Sequence, residues 1–386
     1  MSNFGLGCGA IAGITPTAMS DATDFMRYCC VRRTSDPLVF EGVSHPQSMG
    51  NVRPIAYGGF AVATAIVAAG QTLPSEQRFV PYSLMGNFLG PASLDAPYTL
   101  EVVRVRDTRT FVTRYVTVKQ ASPSGTRSVL AITLDLIASP NSRPEVIEQC
   151  TKAHKDPAAL GSVLRYSPQP SYRLDQSVSL AESDEMVARQ APSKKAFEMA
   201  KNARKAMLGF WYKVFDVRVV PESILTQNMT AMLDTPTTQD KLPFMERRSY
   251  DWFRLIQQLP SSMASEPYRG SSETLPVPPT IAHCAVLSFA LDGLIPFAPL
   301  SLAKKKMTDA SAASTLEFAV RFHTDVLNVN AWHLREIKPV SAGWSRTFGE
   351  ALIFLEDGTL VATASQQSVL RPVDPNTEAT NMNAKL

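Results

Sequence analysis

An internal repeat constrains the fold of this chain more than any other feature of its sequence. Two segments share the order strand, turn, Arg-Thr-Phe, strand, Gly-Thr turn, strand, with the tripeptide beginning at Arg109 in one copy and at Arg346 in the other. Both copies are rich in β-branched, aliphatic and aromatic residues and are bounded by turn residues. The predicted strands are 98–107, 112–120 and 129–137 in the first copy, and 332–337, 349–355 and 360–370 in the second. The repeat therefore predicts two copies of one β-rich domain.

Each copy also contains one apolar stretch that we expect to form a helix. In the first copy the stretch is Gly58–Gly70, and its apolar character on nearly all sides indicates a buried helix. In the second copy we expect the helix to start near Asp292 and to run through Leu302, with first turns made irregular by Pro296 and Pro299. One buried helix wrapped by a curled antiparallel sheet is typical of an α+β domain.

The pattern divides the chain into four parts, since a chain of 386 residues exceeds the usual size of a single core. The predicted parts are an N-terminal domain (1–140), a linker (141–207), a C-terminal domain (208–372) and a polar tail (373–386). We expect a helix over Lys194–Met207 in the linker, which packs partly on the surface. A second irregular insertion, Pro260–Pro279, is rich in proline and serine.

Composition argues against several kinds of partner. The net charge of +3 is a near balance of 38 basic and 35 acidic residues, so it does not indicate nucleic acid binding. The five cysteines are scattered without a C-x-x-C pair, and the histidines show no H-x-x-x-H spacing, so we expect neither a metal nor another cofactor. No stretch reaches the roughly 18 apolar residues of a membrane-spanning helix.

The first half of the chain resembles the acyl-CoA thioesterase II family. Tyr57–Phe60 is similar to the family's F-G-G-Q helix start, and residues 82–91 are similar to its H-S-x-H-x-Y-F-x-x-P strand. Residues 103–114 (V-R-V-R-D-T-R-T-F-V-T-R) are similar to its V-x-R-x-R-D-G-R-S-F-x-x-R strand.

The second half carries further motifs of the same family in the same order. Residues 215–220 resemble its opening strand, 251–254 its W-x-R strand, 315–318 its T-L-D-H, 321–323 its W-F-H and 360–367 its L-V-A-S-x-x-Q-E. The resemblance implies a double hotdog fold, in which two fused domains each wrap an antiparallel sheet around a central helix.

The resemblance also implies a reaction, the hydrolysis of acyl-CoA thioesters by one activated water. The residues that carry over are Asp292, Thr315 and Gln366, which together hold the water. A carboxylate base suffices because the leaving thiol has a pKa of roughly 8–9. No covalent nucleophile is needed, and the chain has no G-x-S-x-G elbow.

Departures from the family pattern fall mainly in the first half. Phe60 stands in place of the family's glutamine, while Tyr82 and Met85 stand in place of its two histidines. We expect these residues, with Gly58 and Gly59, to bind and shape the acyl-CoA substrate without supplying a catalytic side chain.

Simpler roles remain open for each candidate residue. Asp292 is also compatible with a capping role for a helix beginning at Gly293. Thr315 and Gln366 are compatible with ordinary strand positions, and Gly58-Gly59 with close helix packing.

Two other functions also remain open. A hotdog hydratase or dehydratase needs an Asp–His pair at the central helix, but Phe297 stands five residues after Asp292 with no histidine between. A non-catalytic acyl-CoA-binding protein is the second alternative. A homo-oligomer is compatible with the fold, although the sequence does not determine it.

The chain ends in Ala384-Lys385-Leu386 on a polar tail. This small-basic-Leu tripeptide is similar to the S-K-L signal that the peroxisomal import receptor recognises. We therefore expect a peroxisomal protein, with the cytoplasm as the alternative.

Removing Lys385-Leu386 should leave activity intact and move the protein to the cytosol, because the signal lies outside the predicted core. Fluorescence microscopy of tagged full-length and truncated proteins measures the location. Unchanged peroxisomal import of the truncated chain would exclude the signal.

Overall fold

A computed structural model describes residues 24–50, 54–75, 78–139, 144–153, 163–264, 266–306 and 309–373. The predicted signal Ala384-Lys385-Leu386 lies outside these residues. None of the described helices is long and apolar enough to cross a membrane.

One antiparallel sheet of 13 strands runs through both halves, in the order β1-β2-β4-β5-β6-β3-β10-β13-β12-β11-β9-β8-β7. The strands are β1 Val31–Arg33, β2 Val39–Gly42, β3 Phe79–Phe88, β4 Thr99–Asp107, β5 Phe111–Ser122, β6 Gly125–Ala138, β7 Val178–Ser179, β8 Phe215–Val219, β9 Ser249–Leu255, β10 Ala310–Phe322, β11 His333–Gly343, β12 Arg346–Leu355 and β13 Leu360–Pro372. The predicted repeat is confirmed as β4–β6 and β11–β13. The two halves join where β3 pairs with β10.

Two buried helices lie side by side inside the curled sheet. Helix α1 (Gly58–Gly70) has the predicted bounds, whereas α6 (Pro279–Leu291) ends where the second helix was expected to begin. Asp292 is the C-terminal cap of α6, so the predicted helix start near Asp292 is wrong.

Two proline pairs explain this difference. Pro278 and Pro279 suggested the end of an irregular insertion, but proline is well tolerated in the first turn of a helix, where its missing N–H would be unpaired in any case. After Asp292, Pro296 and Pro299 prevent a long helix, and only the short α7 (Ala298–Leu302) forms.

The segment between the halves contains more helix than expected. It comprises α2 (Pro144–Lys152), α3 (Leu180–Gln190) and α4 (Lys194–Val214), and α5 (Ile224–Gln227) follows β8. Helix α4 therefore runs past the predicted boundary at 207.

Part of the linker covers the outer face of the C-terminal sheet. The Ser171 backbone N–H donates to the Glu336 carboxylate at 2.5 Å, and Tyr172 packs against Tyr250. These contacts place the linker over the apolar outer cluster that contains Trp252 and Leu334.

Glycines at both ends of α1 allow the two central helices to approach closely. A Cβ at Gly59 would lie 2.9 Å from the Phe289 carbonyl oxygen, and a Cβ at Gly70 would lie 2.7 Å from Ile281 Cγ2. The start of α1 thus contacts the end of α6, and the end of α1 contacts the start of α6. The two helices are therefore antiparallel. This contact brings the N-terminus of α1 to Asp292.

Gly70→Ala should destabilise the fold by about 1–3 kcal/mol, because the new methyl group overlaps a stiff β-branched side chain. The matched control is Gly209→Ala in α4, where no atom lies within 4 Å of the new Cβ. That change should be neutral or stabilising by up to about 1 kcal/mol. Urea unfolding of both variants measures the difference. Equal stability of the two would contradict the close helix contact.

Candidate active site

Asp292 lies at the junction of the two central helices. It follows the last residue of α6 and is 8% exposed. Its carboxylate accepts a hydrogen bond from the backbone of Gly59 in the first turn of α1. The positive end of the α1 dipole therefore faces this carboxylate.

Burial controls the ionisation of Asp292. Desolvation raises the pKa of its carboxyl group to about 7, and the hydrogen bond from Gly59 partly opposes that rise. A carboxylate with a pKa near neutrality accepts a proton more readily than an ordinary aspartate, as general-base chemistry requires.

Gln366, on β13, lies directly beside Asp292 and is 2% exposed. Its Nε2 donates to the Leu291 carbonyl oxygen at 3.2 Å and to Asp292 Oδ1 at 3.4 Å. These two acceptors fix the orientation of the amide. Gln366 Oε1 is buried and has no hydrogen-bond partner within the described part of the chain. It is therefore left as an acceptor next to the carboxylate.

Thr315 occupies the neighbouring position on the same face of the sheet. It pairs with Ser368 of β13, two residues beyond Gln366, and a β-bulge follows it before Glu317. The bulge lets both Thr315 and Phe318 face inward despite their odd spacing. Thr315 is half-buried, and its row lies roughly 7 Å from that of Gln366. The structure thus places Thr315 and Gln366 on the inner face of the sheet, and Asp292 at the end of α6 beside Gln366. Of these three residues, Asp292 and Gln366 are in direct contact.

Gly58 must be a glycine at this site. A Cβ on Gly58 would lie 2.6 Å from the Phe88 ring and 2.8 Å from Asp292 Oδ2. Phe88, at the end of β3, also packs against Phe318 at 5.5 Å between ring centroids. The N-terminal half therefore contributes glycine backbone and an aromatic wall to the site.

A buried ion pair holds the turn that carries Asp292. Arg335 is 1% exposed, and its Nη1 donates to the Ala290 and Gly293 carbonyl oxygens at 2.9 and 3.2 Å. Its Nε and Nη2 donate to the Asp251 carboxylate at 3.0 and 2.8 Å. The sequence alone did not reveal this pair. An arginine at an inward position between His333 and Ile337 was the signal that could have revealed it.

Tyr57 makes a second contact between the helices that the sequence alone did not reveal. Its hydroxyl donates to the Phe289 carbonyl oxygen at 2.8 Å. Burial raises the pKa of Tyr57 well above its usual value, and the nearby Asp292 raises it further. Tyr57 therefore stays neutral and acts as a donor to α6.

The structure does not bring three of the predicted substrate-binding residues to Asp292. Phe60 is fully buried in an aromatic cluster with Tyr57, Phe210 and Phe289. Tyr82 accepts a hydrogen bond from Arg106, and Met85, 42% exposed, lies beside Arg321.

Strand alternation and packing explain these positions. Met85 neighbours the fully buried Leu84, so it points to the opposite face of the sheet, and a bulge between Pro81 and Ser83 changes the register beside Tyr82. Phe60 fills the space between the helices where the family has a polar glutamine. Among the described residues, no group of three or more His, Cys, Asp or Glu could hold a metal ion.

Two family models match the sequence and together cover more than half of the chain. The acyl-CoA thioesterase N-terminal domain matches residues 45–136, and the acyl-CoA thioesterase C-terminal domain matches residues 220–370. The chain belongs to the acyl-CoA thioesterase family. Acyl-CoA thioesterase 2 of Haemophilus influenzae is 23% identical to it over 353 residues, which cover 92% of this chain and 99% of that protein.

Two solved structures share the fold. The acyl-CoA thioesterase II TesB2 from Mycobacterium marinum has a TM-score of 0.54 at 17% identity and covers 90% of this chain and 97% of its own. A hot dog fold protein from Alicyclobacillus acidocaldarius has a TM-score of 0.51 at 18% identity, with coverage of 91% and 98%. The predicted double hotdog fold is confirmed.

The kcat/KM of this thioesterase should rise with pH through a midpoint of about 7, because only the ionised Asp292 accepts a proton. Phe88→Ala should move the midpoint to lower pH, since water then reaches the carboxylate and desolvation is the larger cause of the shift. Initial rates between pH 5 and 9 measure both profiles. A midpoint near 4 in the unsubstituted protein would contradict a buried base.

Proposed function

We propose that this thioesterase hydrolyses acyl-CoA with one water activated by Asp292, aligned by Gln366 and supported by Thr315. Membership of the family supports the reaction. The observation that carries the residue roles is the contact between Asp292 and the Gln366 amide, because it leaves two acceptors, the carboxylate and Oε1, side by side.

Two adjacent acceptors suit the two hydrogens of one water. The water donates one hydrogen bond to the Asp292 carboxylate and one to Gln366 Oε1. Its lone pair is then directed at the thioester carbonyl carbon. Gln366 therefore orients the water through Oε1, since its Nε2 already donates to the Leu291 carbonyl oxygen and to Asp292.

The carbonyl oxygen becomes negative as the water attacks. Backbone N–H groups of the α1 N-terminus at Gly58, beside Asp292, are suited to stabilise that charge. Thr315 faces the same space and can donate a further hydrogen bond. Asp292 takes the proton from water and passes it to the departing thiolate, so the carboxylate is regenerated.

A hydratase or dehydratase is less well supported than hydrolysis. That chemistry needs a histidine near Asp292 to complete an acid–base pair. His283 of α6 stands nine residues earlier, roughly 13 Å along the helix axis. Its ring nitrogens are hydrogen-bonded to the Pro260 carbonyl oxygen and the Val329 N–H, so this histidine has a structural role.

We further propose that the enzyme acts in peroxisomes and is imported through Ala384-Lys385-Leu386. The terminal tripeptide supports this location.

Asp292→Asn should lower the turnover of acyl-CoA by about 10²–10⁴-fold, which corresponds to about 3–5 kcal/mol of barrier. The amide keeps the size of the carboxylate and cannot accept the proton. Acyl-CoA affinity should survive, because the base acts on water. Thiol release measured with a panel of acyl-CoAs, together with calorimetric binding, tests both points.

The melting temperature at pH 8 should be unchanged or higher in Asp292→Asn. Folding raises the pKa of Asp292, so the stability of the native state is lost as pH rises from about 4 towards 7, and the neutral amide avoids this loss. Asp357→Asn, at an exposed turn, is the matched control. Near-native turnover of Asp292→Asn would exclude the mechanism.

A further inference from the structure

Three hydroxyl side chains, one of them that of Thr315, lie side by side next to Gln366. Ser368 of β13 pairs in register with Thr315 of β10 on one side and with Thr347 of β12 on the other. Directly opposite residues of antiparallel strands share a face, with Cβ atoms about 5 Å apart. We name Thr315, Ser368 and Thr347 the hydroxyl row. It occupies the same face as Gln366, two residues further along β13.

The hydroxyl row interrupts an otherwise apolar inner face. Next to Gln366 in the other direction, the corresponding row contains Val320, Ala364 and Ala351, all buried. Ser368 and Thr347 are 1% and 3% exposed, so solvent does not account for their polarity. Core packing alone favours alanine or valine at such positions.

Ser368 is the most informative member of the row. Its Oγ is buried and has no hydrogen-bond partner within the described residues, and the same holds for Gln366 Oε1 nearby. A buried hydroxyl without a partner destabilises the folded protein, because its hydrogen bonds to water are lost and not replaced. A ligand group that donates to or accepts from Ser368 removes that cost, so binding of such a group is favoured.

Beyond the Thr315 end of the hydroxyl row, on the side of β3, the chemistry is different. There Phe88 packs against Phe318 and the Gly58 backbone, and the wall is aromatic. A thioester has two arms that diverge from its carbonyl group, an apolar acyl chain and a thiol arm that contains amides. Matching polarity places the acyl chain against Phe88 and Phe318 and the amides over the hydroxyl row.

We propose that Ser368 and Thr347 form a subsite that hydrogen-bonds the amide-bearing thiol arm of the substrate. The inference rests on the proposed thioesterase reaction. Both hydroxyls can donate to an amide carbonyl and accept from an amide N–H. The subsite thus adds recognition of the thiol arm to the Asp292, Gln366 and Thr315 machinery.

The test compares three thioesters of one acyl chain, namely octanoyl-CoA, octanoyl-N-acetylcysteamine and S-ethyl thiooctanoate, which carry two, one and no amides in the thiol arm. Ser368→Ala should reduce kcat/KM for octanoyl-CoA by about 3- to 10-fold, and the double variant Ser368→Ala/Thr347→Val by about 10- to 100-fold. Turnover of S-ethyl thiooctanoate should not change. The loss should appear mainly in KM, because the arm binds equally in the ground and transition states.

Controls separate binding from folding. Ser365→Ala alters the same strand on the other face and should leave all three rates unchanged. Ser368→Ala should not lower the melting temperature, because it removes an unpaired hydroxyl. A lower melting temperature with unchanged kcat/KM would show a purely structural serine and overturn the subsite.

Two further outcomes are distinguishable. If the unsubstituted protein hydrolyses octanoyl-CoA but the variants lose activity equally on all three thioesters, the row does not recognise amides and the subsite is wrong. If variants instead change only the preference for 3-hydroxyoctanoyl-CoA over octanoyl-CoA, the row contacts the acyl arm, which also overturns it. Absence of hydrolysis by the unsubstituted protein, over a panel of chain lengths, would refute the proposed function itself.

Discussion

The antiparallel contact between α1 and α6 determines the position of the candidate active site. Gly59 and Gly70 let the helix backbones approach within a distance that no Cβ would tolerate. As a result the first turn of α1 meets the last residue of α6, and a side chain from one half sits against backbone N–H groups from the other. The joining of β3 to β10 closes the sheet over this junction. Neither half contains a complete site.

Opposing electrostatic effects act on Asp292 at this junction. Burial and the negative end of the α6 dipole favour the protonated carboxyl group, whereas the positive end of α1 favours the carboxylate. Burial is the larger effect, and the resulting pKa of about 7 suits a base that must also release its proton to a thiolate. Arg335 keeps the carboxylate in place without pairing with it, because its guanidinium binds the Ala290 and Gly293 carbonyls and the Asp251 carboxylate. A direct ion pair would have lowered the pKa of Asp292.

The two halves contribute to the candidate site in different ways, although both contain the repeated strands. The C-terminal half supplies side chains, namely Asp292, Gln366 and the hydroxyl row. The N-terminal half supplies the glycine backbone of α1 and the aromatic ring of Phe88. Its altered motif residues do not form part of this junction, since Phe60 packs in the core and Met85 lies on the outer face. The outer face of the C-terminal sheet, in turn, is covered by the linker through Tyr172 and its neighbours.

The sequence by itself determined the repeated strands and the bounds of α1, because period-two alternation and a continuous apolar run are local properties of the chain. Through the family resemblance it also indicated Asp292, Thr315 and Gln366. Tertiary structure alone decided the end of α6 at Asp292, the outward direction of Met85 and the pairing of Gln366 with Asp292. Tertiary structure also brought Arg335 to the carbonyls beside Asp292. Helix ends, bulges and buried polar contacts depend on atoms from distant segments, so the physical reason for each lies in packing across the two halves and not in any local pattern.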